Sequence, residues 1–185
     1  MNTQEKEALL QDIYERGFQY EQKYGFCTQA VIGALQDFFA GIDDEVFKAT
    51  HPLAGGGALC GDGTCGALVG GLAVVGSYFG RSRDEFAESD PDGWMNSSAI
   101  AKEIREKFLT EYGSVICDDV QAEKMGRSFD LWDEEDFEKF EAAGAHEDQC
   151  PEVTGKTARW TAEVLLAHGV KPKKKPDPIH TNSKN

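Results

Sequence analysis

Apolar side chains recur at intervals of three and four residues along most of this chain, which is the spacing that places them on one face of an α-helix. A first helix is predicted to begin at the capping residues Asn2 and Thr3 and to continue through Phe18. Gly25 ends the pattern. The same spacing returns after this glycine, so the chain is predicted to consist of successive amphipathic helices.

Later helices are marked by their capping and breaking residues. They are predicted from Cys27 to Phe38, from Asp43 or Asp44 up to His51-Pro52, from Ala67 to Tyr78, from Ser97 or Ser98 to Gly113, from Cys117 onward, and from Cys150-Pro151 to Gly169. The acidic run from Asp133 to Asp148 is interpreted as a solvated helix face. No alternating strand pattern of useful length appears, so the predicted fold is all-α, a compact single-domain bundle of several helices.

Two connections interrupt the helical pattern. Residues 55–66 form a loop with six glycines in twelve residues, and it contains Cys60 and Cys65. This loop matches the letters GxGxxG, but no hydrophobic strand precedes it, so a dinucleotide site is not predicted. The second connection carries a predicted turn at Asp90-Pro91-Asp92-Gly93.

Charge and length limit the classes of partner. The 185 residues carry 19 basic and 33 acidic side chains, for a net charge of −14, which disfavours binding to nucleic acid. The residues from Lys171 to Asn185 hold five lysines and are predicted to be a basic, disordered tail behind a domain of residues 1–170. No apolar run is long enough to span a bilayer and no signal peptide is evident, so a cytoplasmic location is expected.

Five cysteines carry the chemical information: Cys27, Cys60, Cys65, Cys117 and Cys150. All except Cys60 fall at predicted helix N-termini, where unpaired N–H groups and the helix dipole favour an anion. Such positions lower the pKa of a thiol and stabilise thiolates or an anionic cluster. The alternative is that these thiols are small apolar core residues without a redox role.

The cysteine spacing does not identify a metal. No CxxC pair occurs, so the usual zinc-ribbon, thioredoxin and bacterial ferredoxin signatures are missing. His146 and Cys150 are four residues apart and could form a ligand pair, but Pro151 is expected to place His146 outside the helix.

These residues together resemble a redox-active protein family named for its pattern, C_GCAxxG_C_C. The segment Cys65-Gly66-Ala67-Leu68-Val69-Gly70 is similar to its centre, and Cys27-Thr28-Gln29-Ala30-Val31 is similar to its leading cysteine phrase. Cys117 and Cys150 correspond to its two trailing cysteines. The resemblance covers about Tyr20 to His168 and implies a small helical protein with redox or iron–sulfur chemistry. Cys60 and the basic tail are not part of the family pattern.

Three functions remain open from the sequence. The first is electron transfer by an iron–sulfur cluster on Cys27, Cys65, Cys117 and Cys150, with a basic redox protein as partner. The second is cofactor-free thiol–disulfide chemistry, in which Cys65 attacks and Cys60 or Cys27 resolves. The third is non-enzymatic binding of zinc or another soft metal by the same four thiols. If the protein is an enzyme, it is expected to be an oxidoreductase, and its oligomeric state is left open.

Overall fold

The computed structural model describes residues 1–87 and 93–179. Within these residues the chain forms nine α-helices: α1 (Thr3–Tyr24), α2 (Cys27–Phe38), α3 (Asp44–Ala49), α4 (Gly66–Phe79), α5 (Arg83–Ala87), α6 (Gly93–Tyr112), α7 (Cys117–Met125), α8 (Glu134–Ala142) and α9 (Cys150–Ala167). A 3₁₀ turn covers His51–Leu53 and a π-helical turn covers Ala145–Gln149. In the described residues β-pairing is limited to two isolated bridges. The predicted all-α fold is confirmed.

Helix α9 lies at the centre of the bundle, in contact with α1, α2, α4 and α6. The apolar faces of these helices meet in one continuous core, because each helix buries the side chains that its three- and four-residue spacing places on one side. Among the fully buried members are Ile13 on α1, Leu35 on α2, Leu68 on α4, Ile104 on α6 and Leu165 on α9.

Small residues on α4 allow its neighbours to approach closely. A Cβ atom added at Gly70 would lie 2.7 Å from the carbonyl oxygen of Thr28 on α2. A Cβ atom at the next residue, Gly71, would lie 2.6 Å from the hydroxyl of Thr161 on α9. Helix α4 is therefore held between α2 and α9 at a separation that larger side chains would prevent.

The sequence predicted the start of α1 correctly and the start of α6 incorrectly. The cap of α1 is confirmed, since Asn2 and Glu5 form a reciprocal capping box. The predicted cap at Ser97 or Ser98 is wrong, because α6 already begins at Gly93 and both serines lie inside it. Of the predicted turn at Asp90-Pro91-Asp92-Gly93, the first three residues lie outside the described residues.

Residues 171–179 lie along α2. The backbone N–H of Lys173 donates to the carbonyl of Phe38 at 2.7 Å, and that of Asp177 donates to the carbonyl of Asp37 at 2.9 Å. Phe39 and Pro172 form one of the two isolated bridges. This stretch contacts the domain beyond the predicted boundary at residue 170, and residues 180–185 lie outside the described residues.

The solvent-facing helices are polar. Helix α8 begins at Glu134, the side chain of the preceding Asp133 caps it, and most of its acidic side chains are exposed. In the described part of the chain, no helix combines the length and apolar character that a membrane span requires.

Candidate functional site

Four of the five cysteines line a single cavity of about 390 Å³. They reach it from different elements: Cys27 is the first residue of α2, Cys65 precedes α4, Cys117 is the first residue of α7 and Cys150 is the first residue of α9. The sequence singled out these four residues as a set, and the fold brings them to one place.

Cys60 lies apart from this set. It is exposed in the glycine-rich loop, and its sulfur faces the carbonyl oxygen of Ala58 at 3.5 Å. Its neighbour Leu59 lines the cavity, whereas Cys60 does not. The loop that carries both residues is closed by its own backbone hydrogen bonds, including one of 2.9 Å from the N–H of Gly61 to the carbonyl of Gly55.

Cys65 and Cys117 are aligned by a short stretch of β-type pairing. Thr64 and Ile116 form an antiparallel bridge, with hydrogen bonds from the N–H of Cys65 to the carbonyl of Val115 at 2.8 Å and from the N–H of Cys117 to the carbonyl of Gly63 at 2.9 Å. Side chains alternate between the two faces of such a pairing, so the residues that follow Thr64 and Ile116 project to the same face. The bridge thus holds two cysteines side by side, although 52 positions separate them in the sequence.

The pKa values of these two thiols are shifted in opposite directions. Cys65 is 6% exposed and Cys117 is 7% exposed. The hydrogen bond from the Cys65 thiol lowers the pKa of Cys117, and a second hydrogen bond from the Gln121 side chain acts in the same direction against the effect of burial. The donated hydrogen bond and burial both raise the pKa of Cys65. Cys117 is therefore the more acidic thiol of the pair, and the Cys65 thiol donates the hydrogen bond that favours its ionised form.

Cys27 occupies a tightly constrained corner of the cavity. The residue before it, Phe26, has a left-handed backbone conformation with φ 58°, which turns the chain sharply between α1 and α2. A Cβ atom at Gly66 would lie 2.5 Å from the Cys27 sulfur, so only glycine at this position leaves room for the thiol. Burial and the neighbouring Glu21 raise the pKa of Cys27, while backbone hydrogen bonds from Gly55 and Thr28 oppose that rise.

The position of Cys150 differs from the prediction, in which this residue caps a free helix N-terminus. The π-helical turn Ala145–Gln149 runs directly into α9, and the backbone N–H of Cys150 donates to the carbonyl of Ala145. This turn also brings His146 to the cavity. His146 lies before α9, as the sequence predicted. Burial raises the pKa of the Cys150 thiol well above its usual value.

The predicted lowering of cysteine pKa values at helix N-termini is therefore correct for Cys117 and wrong for Cys27, Cys65 and Cys150. The reason is that removing a thiolate from water costs more free energy than its interaction with the partial positive charge of a helix N-terminus provides. Only Cys117 receives two side-chain hydrogen bonds that offset its burial.

Glu21 is a site residue that the sequence analysis missed. Its side chain on α1 is buried in the cavity with the four thiols, and Nε2 of His146 lies 3.9 Å from its Oε1 atom. Burial, together with the negative charge of Cys117, raises the pKa of Glu21 to about 8. The helical spacing did carry a signal, since Glu21 follows Ile13, Gly17 and Tyr20 on the buried face of α1.

The four cysteines do not converge on one point. Among the described residues, no three His, Cys, Asp or Glu side chains lie close enough together to hold a metal ion. The side chains of Cys65 and Cys117 contact each other, and two adjacent thiols are what a dithiol requires.

One protein family matches this chain in the comparison with known proteins. Residues 25–164, more than half of the chain, match the family described as "Putative redox-active protein (C_GCAxxG_C_C)". The matched range includes all five cysteines. No curated protein and no solved structure matches the chain.

Proposed function

Because the chain belongs to the C_GCAxxG_C_C family, we propose that it is a redox protein that cycles between a Cys65–Cys117 dithiol and a Cys65–Cys117 disulfide. The observation that carries this proposal is the Thr64–Ile116 bridge, which places the two sulfurs on one face within hydrogen-bonding reach. A disulfide requires Cα atoms within about 7 Å of each other. Cys65 and Cys117 are diagonal neighbours across the bridge, and such neighbours lie about 7–8 Å apart, so a small shift of one segment brings them into range.

The roles of the two thiols follow from their protonation. The Cys117 thiolate attacks the oxidant, and the Cys65 thiol then attacks the Cys117 sulfur and loses its proton. Starting from the Cys117 thiolate and the Cys65 thiol, the pair gives up two electrons and one proton and gains one sulfur–sulfur bond. This assignment differs from the roles expected from the sequence, where Cys65 was the attacking residue and Cys60 or Cys27 the resolving one. Here Cys65 resolves, and Cys117 replaces it as the attacking residue.

A partner must return electrons to the disulfide. The net charge of −14 supports a basic redox protein in that role, since complementary charge accelerates encounter and orients the two molecules.

An iron–sulfur cluster on Cys27, Cys65, Cys117 and Cys150 is the second candidate. Its support is that all four thiols line one cavity, and thiolates are the ligands that such clusters use. The dithiol is preferred as the first candidate because the Cys65 and Cys117 side chains contact each other.

The experiment is an anaerobic purification with ultraviolet–visible spectra and counts of iron, zinc, sulfide and free thiols. A Cys60→Ser chain is the reference, because it removes the exposed thiol that could link two molecules. We expect a colourless protein that loses two free thiols on mild oxidation with diamide and regains them with dithiothreitol. Cys65→Ser and Cys117→Ser in the same background should lose this paired response. A brown protein that contains iron and sulfide would support the cluster, and a paired response that persists without Cys117 would overturn the dithiol.

A further inference from the structure

Two side chains that line the thiol cavity each carry a buried polar atom with no hydrogen-bond partner among the described residues. These atoms are Oε2 of Glu21 and the hydroxyl oxygen of Thr154, which lies one helical turn after Cys150 on α9. Glu21 is 2% exposed and Thr154 is fully buried. An unpaired buried polar group costs free energy, and both of these atoms belong to side chains that line the same cavity, where a ligand could supply the missing hydrogen bonds.

The remainder of the lining is largely apolar and rich in aromatic rings. Its members include Phe26, Leu59, Leu131, Phe137 and Phe140. A volume of about 390 Å³ is within the range of pockets that enclose small organic ligands. The lining therefore suits a compact ring system better than a charged or extended molecule.

The two polar groups of the cavity indicate which polar atoms a ligand should carry. With a pKa of about 8, Glu21 is protonated at neutral pH and can donate a hydrogen bond, as can the Thr154 hydroxyl. Each donor needs an acceptor oxygen. An apolar ring with acceptor oxygens, able to take electrons from thiols, is the chemical description of a quinone.

Access to the thiols also favours a small oxidant. Cys65 and Cys117 are 6% and 7% exposed and line the cavity, so a small molecule reaches them with less displacement of the surrounding elements than a protein partner needs. A molecule that enters the cavity reaches Cys117 directly.

We propose that this cavity binds a small para-quinone, held by Glu21 and Thr154, which accepts two electrons from the Cys65–Cys117 dithiol. The inference rests on the proposed dithiol function and adds the class of its oxidant.

The reaction balances with the groups present. The Cys117 thiolate forms a bond to a ring carbon of the quinone while Glu21 gives its proton to one carbonyl oxygen. The Cys65 sulfur then attacks the Cys117 sulfur, which breaks the carbon–sulfur bond, and the Cys65 proton goes to the second oxygen. The products are the disulfide, the hydroquinone and the Glu21 carboxylate, so the charge of the lost thiolate now resides on Glu21.

His146 provides the path by which Glu21 regains its proton. Its Nε2 atom lies 3.9 Å from Oε1 of Glu21, and its Nδ1 atom lies 2.5 Å from Oε1 of Glu141, which is exposed to solvent. The imidazole therefore connects the buried carboxyl group with the surface.

The binding test uses the Cys60→Ser/Cys117→Ser chain, which cannot form the Cys65–Cys117 disulfide. The probe is dimethyl-naphthoquinone with a methyl group on each free carbon of its quinone ring, which hinders permanent arylation. Calorimetric titration should show saturable binding of one quinone per chain, weakened about tenfold by Thr154→Val or Glu21→Leu. Thr28→Val is the matched control, because the Thr28 hydroxyl is also buried and unpartnered but does not line the cavity.

The rate test uses reduced Cys60→Ser protein mixed with the same quinone. Glu21→Gln retains a hydrogen-bond donor but cannot release a proton, so it should bind the quinone nearly as well and reduce it about a hundredfold more slowly. If binding is absent, or is unaffected by both Thr154→Val and Glu21→Leu, while diamide still oxidises the Cys65–Cys117 pair, the quinone site is wrong and the dithiol function stands. If diamide fails to oxidise the pair, the dithiol function itself is wrong.

Discussion

The side-chain amide of Gln121 donates a hydrogen bond to the Cys117 sulfur across 3.4 Å, from a position one turn further along α7. Its carbonyl oxygen accepts a hydrogen bond of 3.0 Å from the backbone N–H of Phe129. This second bond fixes the orientation of the amide, so that its NH₂ group faces the sulfur. Gln121 thus links the reactivity of Cys117 to the segment that follows α7.

Replacement of Gln121 by Met should make Cys117 less reactive. The variant loses a donor to the thiolate, so the pKa of Cys117 rises and the rate of its alkylation by iodoacetamide at neutral pH falls about fivefold. The measurement is the pH profile of alkylation in a Cys60→Ser background. A profile that stays at the reference position would show that Gln121 does not stabilise the thiolate. Stability should also fall by about 1–3 kcal/mol, because the Phe129 N–H loses its acceptor.

A substitution at Gly66 tests how closely α2 and α4 must approach each other at the site. In Gly66→Ala the new Cβ atom would lie 2.5 Å from the Cys27 sulfur and 3.0 Å from the Cα atom of Ala54, so neighbouring backbone must move. We expect a loss of about 2–3 kcal/mol in the free energy of unfolding, measured by urea denaturation.

Gly76→Ala is the control on the same helix. Nothing lies within 4 Å of a Cβ atom at Gly76, so alanine should stabilise α4 by about 0.5–1 kcal/mol. Equal effects of the two substitutions would show that contact with Cys27 does not constrain position 66.

The fold was largely predictable because helix formation is local. Asn2, Gly25 and Cys117 mark helix ends through capping and backbone conformation, which depend on a few neighbouring residues. The start of α6 was misplaced because Ser97 and Ser98 are good capping residues that also occur inside helices. The turn before Cys150 was missed because Pro151 is common at helix starts and the π-helical turn has no comparable sequence signal.

The site was predictable in its members but not in its electrostatics. Cysteine positions identified Cys27, Cys65, Cys117 and Cys150, yet the depth of burial that raises three of their pKa values depends on packing between distant helices. The Thr64–Ile116 bridge could not be foreseen, since a single bridge produces no alternating pattern. Glu21 was overlooked because an acidic residue on an amphipathic helix is usually solvated.

The contacts of residues 171–179 should contribute to stability. Removal of the chain after residue 170 eliminates two backbone hydrogen bonds to α2 and the hydrogen bond of 2.7 Å from Nζ of Lys173 to the carbonyl of Gln36. We expect the free energy of unfolding to fall by about 1–3 kcal/mol in urea denaturation. Lys174→Ala, at an exposed position, is the control and should change it by less than about 0.5 kcal/mol. An unchanged stability of the shortened chain would show that these contacts add nothing to the domain.

Glu21 should make the stability of the protein depend on pH. Its pKa is 4.5 when exposed in the unfolded chain and about 8 in the folded one, so between these values the folded state binds more protons than the unfolded state. The free energy of unfolding therefore decreases as the pH rises from 4.5 through 8. The full loss is on the order of 5 kcal/mol, since each unit of pKa difference corresponds to about 1.4 kcal/mol.

Glu21→Gln isolates this effect, because glutamine remains neutral and nearly isosteric throughout. The groups that face position 21 in the cavity are Cys27, Cys117, Cys150 and His146, and all of them are retained in the variant. Urea denaturation at intervals from pH 5 to 9 should show similar stability at pH 5 and a growing advantage of the variant above pH 7. Parallel curves across this range would mean that Glu21 ionises as an exposed carboxyl group does. It could not then serve as the proton donor at neutral pH, because the buried carboxyl group would already be a carboxylate beside the Cys117 thiolate.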